Sequence, residues 1–224
     1  MNTWEKFANQ DAEYYILTYE NIDYSTEEGQ RYFYASGEED VKILLGRVES
    51  YLTNRKAALE IGCGIGRLTL PHARIFEKIS GVDIAPTMLS KLAVNARKRD
   101  LTNISGFLPD GPWDAQRYDY VYSLIVFQHI ADYNVILDYI TRIAAAMNTG
   151  AIAQLQFDTR PSAFLYRVRN LFPDFLLPRA QRRSVRRIRR KSGDLRALFV
   201  KNGLEIMQEL GPDSESHIFL LKKK

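Results

Sequence analysis

Three glycines at two-residue spacing follow a short apolar run, and this pattern constrains the fold more than any other stretch. The run at 57–61 is long enough for one buried parallel strand, and Gly62, Gly64 and Gly66 end it. An amphipathic pattern over 67–77 then predicts a helix. Glycine allows a tight turn, and without a Cβ the backbone can approach a ligand closely. The stretch therefore predicts a strand, a glycine turn and a helix.

An acidic residue ends the next predicted strand. The apolar run at 79–83 closes on Asp83. In open parallel sheets, an acid at this position meets the hydroxyls of a nucleotide ribose. A glycine turn that only joined a strand to a helix would leave this acid unexplained. The two features together predict a cofactor that carries a nucleoside.

Both segments resemble motifs of one enzyme family. Residues 60–67, Glu-Ile-Gly-Cys-Gly-Ile-Gly-Arg, resemble motif I of the class I S-adenosylmethionine-dependent methyltransferases, and residues 82–89 resemble their second motif. The dinucleotide fingerprint is instead Gly-x-Gly-x-x-Gly, so a nicotinamide oxidoreductase is the less favoured alternative. The resemblance covers 57–157 and, more loosely, 193–221. It implies S-adenosyl-L-methionine as cofactor and S-adenosyl-L-homocysteine as product.

Predicted strands alternate with predicted helices from residue 57 onward. This alternation predicts an α/β, Rossmann-like, doubly wound sheet, and the resemblance implies seven strands, the last of them antiparallel. The predicted strands are 57–61, 79–83, 103–108, 118–126, 150–157, 204–210 and 217–221. The predicted helices are 67–77, 86–99, 132–147 and 193–202.

Residues 1–55 precede the first core strand and predict a helical cap, with a helix beginning at Ser36-Gly37. Residues 56–224 then form the methyltransferase domain, interrupted by a basic insert at 158–192. The resemblance implies that such a cap closes over the cofactor and lines the substrate pocket. We therefore expect substrate contacts from the cap tyrosines, unless these only pack the cap onto the core. They are Tyr14, Tyr15 and Tyr19.

The resemblance also implies a set of cofactor-binding residues at the carboxyl ends of the first four strands. They are Glu60, Gly62, Cys63, Gly64 and Arg67, then Asp83, Ile84 and Met88, then Asp110 and Gly111, and finally Ser123 and Leu124. For Asp110, a simple Pro-Asp-Gly turn is an equally good explanation. Cys63 fits the turn as a small residue and not as a nucleophile.

His129 is the candidate catalytic residue, because it ends a loop that resembles the histidine loop of many small-molecule methyltransferases. An imidazole can accept the proton of a hydroxyl or amine as that group is methylated. The alternative is that His129 caps the next helix or orients its loop. His72 and His217 are predicted to be structural, and no metal site is expected.

Composition excludes some classes of protein. The single cysteine excludes an internal disulfide framework and a multi-cysteine zinc site. The sequence has no apolar run long enough to span a membrane and no signal pattern at its start, so a cytoplasmic location is expected. A monomer or a homodimer is expected.

Positive charge is concentrated in one segment, 179–191, which holds eight basic residues and no acid. Its partner could be the acidic N-terminal cap, an anionic substrate, an anionic membrane surface or RNA. No RNA-binding module accompanies the segment. A small-molecule acceptor methylated on oxygen or nitrogen is therefore favoured, such as a natural-product or metabolic intermediate. RNA or protein methylation and a non-catalytic cofactor-binding protein remain the alternatives.

Overall fold

A computed structural model describes residues 3–17, 21–161 and 187–224. Its strands are β1 (Ala57–Ile61), β2 (Lys78–Val82), β3 (Ile104–Phe107), β4 (Tyr118–Ser123), β5 (Met147–Phe157), β6 (Leu204–Leu210) and β7 (His217–Lys223). Its α-helices in the described residues are α1 (Thr3–Leu17), α2 (Glu27–Gly46), α3 (Thr69–His72), α4 (Pro86–Arg97), α5 (Tyr133–Ala146) and α6 (Ser192–Lys201). Two short 3₁₀ helices span Trp113–Ala115 and Phe127–His129.

The seven strands of the described residues form one sheet in the order β3-β2-β1-β4-β5-β7-β6. β1 pairs in parallel with β2 and β4, and β2 pairs in parallel with β3. β7 runs antiparallel to both β5 and β6. The predicted Rossmann-like sheet with its antiparallel last strand is confirmed. The carboxyl ends of the first four strands therefore meet at one edge, where such folds bind ligands.

The chain divides into two compact units, Met1–Tyr122 and Ser123–Lys224. Helices α1 and α2 belong to the same unit as strands β1 to β3. The division into 1–55 and 56–224 thus stays a prediction about function and is not a boundary between compact units. Among the described helices, none is long and apolar enough to cross a membrane.

The helix predicted at 67–77 is much shorter in the structure, where α3 spans Thr69–His72. The N-cap residue Leu68 offers no side-chain acceptor for the first helical N–H groups. Past His72 the backbone tightens, because Arg74 N–H donates to the Pro71 carbonyl and Ile75 N–H to the His72 carbonyl. These hydrogen bonds join residues three apart, as in a 3₁₀ helix, and the α-helix therefore ends in a series of turns.

Helix α2 begins at Glu27, earlier than the predicted start at Ser36-Gly37. Thr26 caps it, because its hydroxyl accepts a hydrogen bond of 3.1 Å from the Gly29 N–H. Gly37 lies inside this helix, where a Cβ would come within 2.1 Å of the Arg67 carbonyl oxygen. The glycine that suggested a helix start therefore marks the place where α2 crosses the glycine turn.

Helix α1 contains a break at Asp11, whose backbone is extended (φ −159°, ψ 87°). The Asp11 carboxylate accepts from the Tyr14 N–H at 3.0 Å and so caps the second half of the helix. The first half is fixed to α4 at two points. Glu5 accepts from the Thr87 N–H at 3.1 Å, and Lys91 donates to the Ala8 carbonyl at 2.8 Å.

The second unit is organised around stacked aromatic rings. Phe157 of β5 stacks on Phe127 with ring centroids 4.9 Å apart, and it also contacts Phe199 and Phe219. All four rings are fully buried. Burying several large rings is a major source of stability, of about 1.5–3 kcal/mol for each side chain. This core holds the ends of β5 and of the loop after β4 in one place.

The crossing of α2 over the glycine turn yields a testable prediction. We expect Gly37→Ala to destabilise the protein by about 1–3 kcal/mol, because the new methyl group would overlap the Arg67 carbonyl. Gly46→Ala is the matched control, since it lies in the same helix with nothing within 4 Å of its Cβ position. Helix propensity alone should make the control more stable, by up to about 1 kcal/mol.

Urea unfolding of both variants measures the two changes. Equal shifts of the same sign in Gly37→Ala and Gly46→Ala would contradict the proposed crossing, because propensity would then explain both.

Candidate active site

The glycine turn after β1 depends on backbone conformations that favour glycine. Gly62, Gly64 and Gly66 have φ values of 79°, 52° and 99°, and other residues adopt such values only with strain. The Gly62 and Cys63 N–H groups both donate to the Val82 carbonyl, at 2.7 and 3.1 Å. The turn is thereby fastened to the carboxyl end of β2.

Asp83 connects the two sequence motifs. One carboxylate oxygen accepts from the Gly64 N–H and the other from the Ala85 N–H, each at 2.9 Å. Burial raises the pKa of the Asp83 carboxyl, and these backbone donors oppose the shift. A carboxylate has about four acceptor positions. Asp83 therefore retains capacity for further donors such as ribose hydroxyls.

Glu60 lies at the end of β1 and is almost fully buried. One of its oxygens accepts from the hydroxyls of Thr69, at 2.5 Å, and Tyr122, at 3.0 Å. Burial raises the pKa of Glu60 to about 7, although both hydroxyls favour the ionised form. Sequence reasoning did not identify Thr69 or Tyr122, because only the pairing of β1 with β4 brings Tyr122 beside Glu60.

Two of the predicted cofactor residues support the turn from within. Cys63 is buried against Gly81, where a Cβ would lie 2.8 Å from its sulfur, and burial raises the pKa of its thiol well above the usual value. The Arg67 guanidinium lies 2.7 Å from the Asp40 carboxylate and donates to the Ser36 hydroxyl at 3.2 Å. The guanidinium thus holds α2 to the turn.

Helix α1 lies over the same turn. The Ile16 side chain contacts Gly64 so closely that a Cβ there would come within 2.7 Å of its terminal carbon. Ile16 was not predicted, since an isolated apolar residue in a helix carries no functional signal. Its position makes the second half of α1 part of the wall around the glycine turn.

Ile84 and Met88, the two predicted cofactor residues that follow Asp83, have opposite environments. Ile84 is half exposed, at 50% of its surface, which leaves its side chain accessible to a ligand. Met88 is buried in an apolar cluster with Ala8, Ala12 and Phe33. Met88 therefore packs beneath the cap, whereas the Ile84 side chain is accessible to solvent and to a ligand.

The loop after β3 forms the Pro-Asp-Gly turn that the sequence offered as an alternative. The Gly111 N–H donates to the Leu108 carbonyl at 2.9 Å, and the Trp113 indole N–H donates to the Pro109 carbonyl at 3.0 Å. Asp110 is exposed at the tip of this turn. A cofactor contact by Asp110 stays a prediction.

The cap tyrosines in the described residues are half buried. Tyr15 stacks on Phe7 with ring centroids 3.7 Å apart, and Tyr14 packs against the apolar cluster beneath α1. Both rings thus take part in packing, and a substrate contact by Tyr14 or Tyr15 stays a prediction. Tyr19 and the arginines at 179, 182, 183 and 186 lie outside the described residues.

The second unit begins at buried Ser123, the last residue of β4, and half-buried Leu124 follows it. Ile125 then adopts a φ of 60°, which is rare for a β-branched residue. The following 3₁₀ helix ends at His129, whose N–H donates to the Val126 carbonyl at 2.8 Å. Such backbone strain is often found where a loop carries a functional group.

The environments of the three histidines differ. His72 is fully buried, and its Nδ1 lies 2.9 Å from the Leu68 carbonyl. Burial lowers the pKa of His72 to about 4. His217 is also fully buried, 3.0 Å from the Glu209 carboxylate and 2.9 Å from the Thr159 hydroxyl. His129 alone is partly accessible, which agrees with the prediction that the other two are structural.

Residues 58–150 match a family model described as a methyltransferase domain. A ubiquinone biosynthesis O-methyltransferase from Bartonella quintana (strain Toulouse) is 33% identical over 84 residues, which make up 35% of this chain and 33% of that protein. The crystal structure of magnesium protoporphyrin IX methyltransferase from Synechocystis PCC 6803 with bound SAH superimposes with a TM-score of 0.65. Its identity is 17%, and the alignment covers 98% of both chains.

The glycine turn, Asp83 and the sheet order are all consistent with the methyltransferase domain that matches at 58–150. The chain has the fold of S-adenosylmethionine-dependent methyltransferases of known structure, and its residues 58–150 match a methyltransferase domain. A probable ribosomal RNA small subunit methyltransferase A from Methanosphaera stadtmanae is 31% identical over 114 residues, 50% of this chain and 41% of that protein. The chain thus spans only 33% and 41% of the length of these two curated relatives.

The raised pKa of Glu60 predicts a pH effect on stability. The native carboxyl keeps its proton up to a pKa of about 7, whereas the unfolded one loses it near about pH 4.3. Between these values the native state binds more protons, so raising the pH lowers the free energy of unfolding. Glu60→Gln should remove this contribution, which amounts to about 4 kcal/mol.

Urea unfolding of wild type and Glu60→Gln between about pH 4.5 and 8 tests this. The wild-type free energy of unfolding should fall relative to that of the variant as the pH rises. Glu28→Gln removes a charge from an exposed position and is the control. A wild-type curve parallel to that of Glu60→Gln would contradict the prediction.

Proposed function

We propose that this chain transfers a methyl group from S-adenosyl-L-methionine to an oxygen or nitrogen atom of a small molecule. S-Adenosyl-L-homocysteine is the second product. The observation that carries the proposal is the hydrogen bond between Asp83 and the Gly64 N–H, which joins the two motifs at the carboxyl ends of β1 and β2. The match at 58–150 supports it.

The electrostatics of the turn suit this cofactor. Burial raises the pKa values of both Glu60 and Asp83. The negative charge of Asp83 adds to the shift at Glu60, and both carboxylates add to the shift at the Cys63 thiol. A cationic ligand beside them would favour their ionised forms. S-Adenosyl-L-methionine carries a sulfonium charge and supplies an activated methyl group when bound. Glu60 would face its charged amino-acid end, and Asp83 would accept its ribose hydroxyls.

The remaining predicted cofactor residues are divided by whether their atoms are accessible to a ligand or are packed inside the protein. The backbone of Gly62 and Gly64 approaches the ligand, while Cys63, Arg67 and Met88 support the turn through the internal contacts described above. The remaining contacts come from residues at the ends of the next strands. These are Ile84, Asp110, Gly111, Ser123 and Leu124.

The acceptor is proposed to be a small molecule such as a natural-product or metabolic intermediate. Support comes from a relative named as a ubiquinone biosynthesis O-methyltransferase. Tyr14, Tyr15 and Tyr19 are proposed to contribute to the acceptor site. Methyl transfer from a sulfonium needs mainly alignment and exclusion of water. A cytoplasmic location and a monomeric or homodimeric state are part of the same proposal.

A second candidate function is the methylation of RNA. It is favoured by the similarity to a probable ribosomal RNA methyltransferase and by the basic segment 179–191. Binding that weakens steeply with salt and is lost in a variant neutralised at Arg182, Arg183 and Arg186 would support it. If the wild type shows no salt-sensitive RNA binding, RNA methylation is excluded and the small-molecule proposal stands.

Calorimetric titration tests the cofactor. We expect wild type to bind S-adenosyl-L-methionine and S-adenosyl-L-homocysteine and not NAD. Asp83→Ala should weaken binding by about 100-fold or more, because two charge-assisted hydrogen bonds to the ribose are lost. Asp83→Asn keeps one carbonyl oxygen and should show an intermediate affinity.

Thermal unfolding of each Asp83 variant separates loss of ligand contact from collapse of the turn. Binding of NAD alone would assign the chain to the oxidoreductases. Binding of neither cofactor would remove the basis of the proposal.

His129 is proposed to accept the proton of the acceptor group. With an acceptor identified from a panel of hydroxyl and amine compounds, His129→Gln should lower kcat by about 10²–10⁴-fold. Its affinity for S-adenosyl-L-homocysteine should equal that of wild type, because the side chain has no part in holding the cofactor. A variant with wild-type kcat would restrict His129 to shaping its loop.

A further inference from the structure

Residues 187–190, here called the tether, connect the end of β5 to the loop that carries His129. The Ile188 N–H donates to the Gln128 carbonyl at 2.6 Å, and the Arg190 N–H donates to the Asp158 carbonyl at 2.8 Å. Asp158 and Arg189 also form a parallel β-bridge. The tether therefore pairs with β5 on one side and with the residue before His129 on the other.

The Arg190 side chain adds two bonds to the same loop. One guanidinium nitrogen donates to the carbonyls of Ile130, at 2.7 Å, and Ala131, at 2.9 Å. The guanidinium carbon lies 5.4 Å from the centre of the Tyr133 ring, at the start of α5. These contacts hold the backbone directly after His129, so the histidine lies between two backbone segments that the tether fixes.

The other end of the tether has its own anchor. Asp158 is fully buried, and its carboxylate accepts from the Arg160 side chain, with the shortest contact at 2.5 Å. Glu215 pairs with both Arg160, at 3.1 Å, and Arg187, at 2.9 Å. A buried carboxylate satisfied in this way is costly to disturb. Through Asp158 the tether is thus attached to a buried residue whose carboxylate is hydrogen-bonded.

We propose that Arg190 is a positioning residue for His129. It acts through the backbone of Ile130 and Ala131 and holds the imidazole in the orientation that proton acceptance requires. The inference rests on the proposed role of His129 in methyl transfer. A misplacement of about 1 Å at a reacting group costs about 100-fold in rate, so fixing this loop affects catalysis directly.

The histidine content of the chain makes the proposal testable without an acceptor. The protein has three histidines, and of these only His129 lies in the tethered loop. In protein labelled with ¹³C-histidine, Arg190→Gln should shift or broaden the ring Cε1–H resonance of His129. The resonance of His72, buried in the other compact unit, should stay in place.

Arg187→Gln is the matched control, because it removes the same charge from the same tether but pairs with Glu215. It should leave the His129 resonance unchanged. Arg190→Lys retains a donor within reach of the carbonyls but not the planar guanidinium, so it should shift the His129 resonance less than Arg190→Gln does. If Arg190→Gln does not fold, the comparison of Arg190→Lys with Arg187→Gln still decides, since the lysine should cause this smaller shift and the control should cause none.

Activity provides the second measurement. Arg190→Gln should lower kcat by about 10–100-fold with wild-type affinity for S-adenosyl-L-homocysteine, and adding it to His129→Gln should cause no further loss. An unchanged His129 resonance in Arg190→Gln, or an equal shift in Arg187→Gln, would overturn the inference. A shifted resonance with wild-type kcat in His129→Gln would instead refute the proposed base and leave the positioning contact in place.

Discussion

The structure depends on a backbone turn that only glycine makes without strain. The left-handed conformations of Gly62, Gly64 and Gly66 direct the Gly64 N–H to Asp83. This bond closes the gap between the ends of β1 and β2. Burial raises the pKa values of both carboxyl groups beside the turn, Glu60 and Asp83, and a cationic ligand there would favour their ionised forms. The proposed cofactor and the proposed chemistry both follow from this constraint.

The N-terminal helices are integrated with that turn more closely than an added cap would be. Gly37 of α2 lies against the Arg67 carbonyl, and the Arg67 guanidinium returns to α2 through Asp40. Helix α1 contributes Ile16, in contact with Gly64, and Glu5, which caps α4 at Thr87. Changes in the N-terminal helices are therefore transmitted to the glycine turn through direct contacts and not through a flexible linker.

Environment, and not residue type, separates the three histidines. His72 and His217 are enclosed by aromatic rings and hydrogen-bonding partners, and burial lowers the pKa of both. His129 lies on a loop whose backbone is held at both sides by the tether. The basic segment thus contributes at its carboxyl end to the order of a neighbouring loop, a role that its charge alone did not suggest.

The sequence by itself determined the sheet, the glycine turn and the position of Asp83 at the end of the second strand, because these follow from local apolar patterns and from the conformational freedom of glycine. It did not predict the start of α2, the short α3, or the partners of Glu60, which are Thr69 and Tyr122. Those features depend on residues far apart in the chain. Only the tertiary structure decided that Gly37 serves a close crossing and that Arg67 and Arg190 bind protein groups, since long side chains choose partners by proximity in space.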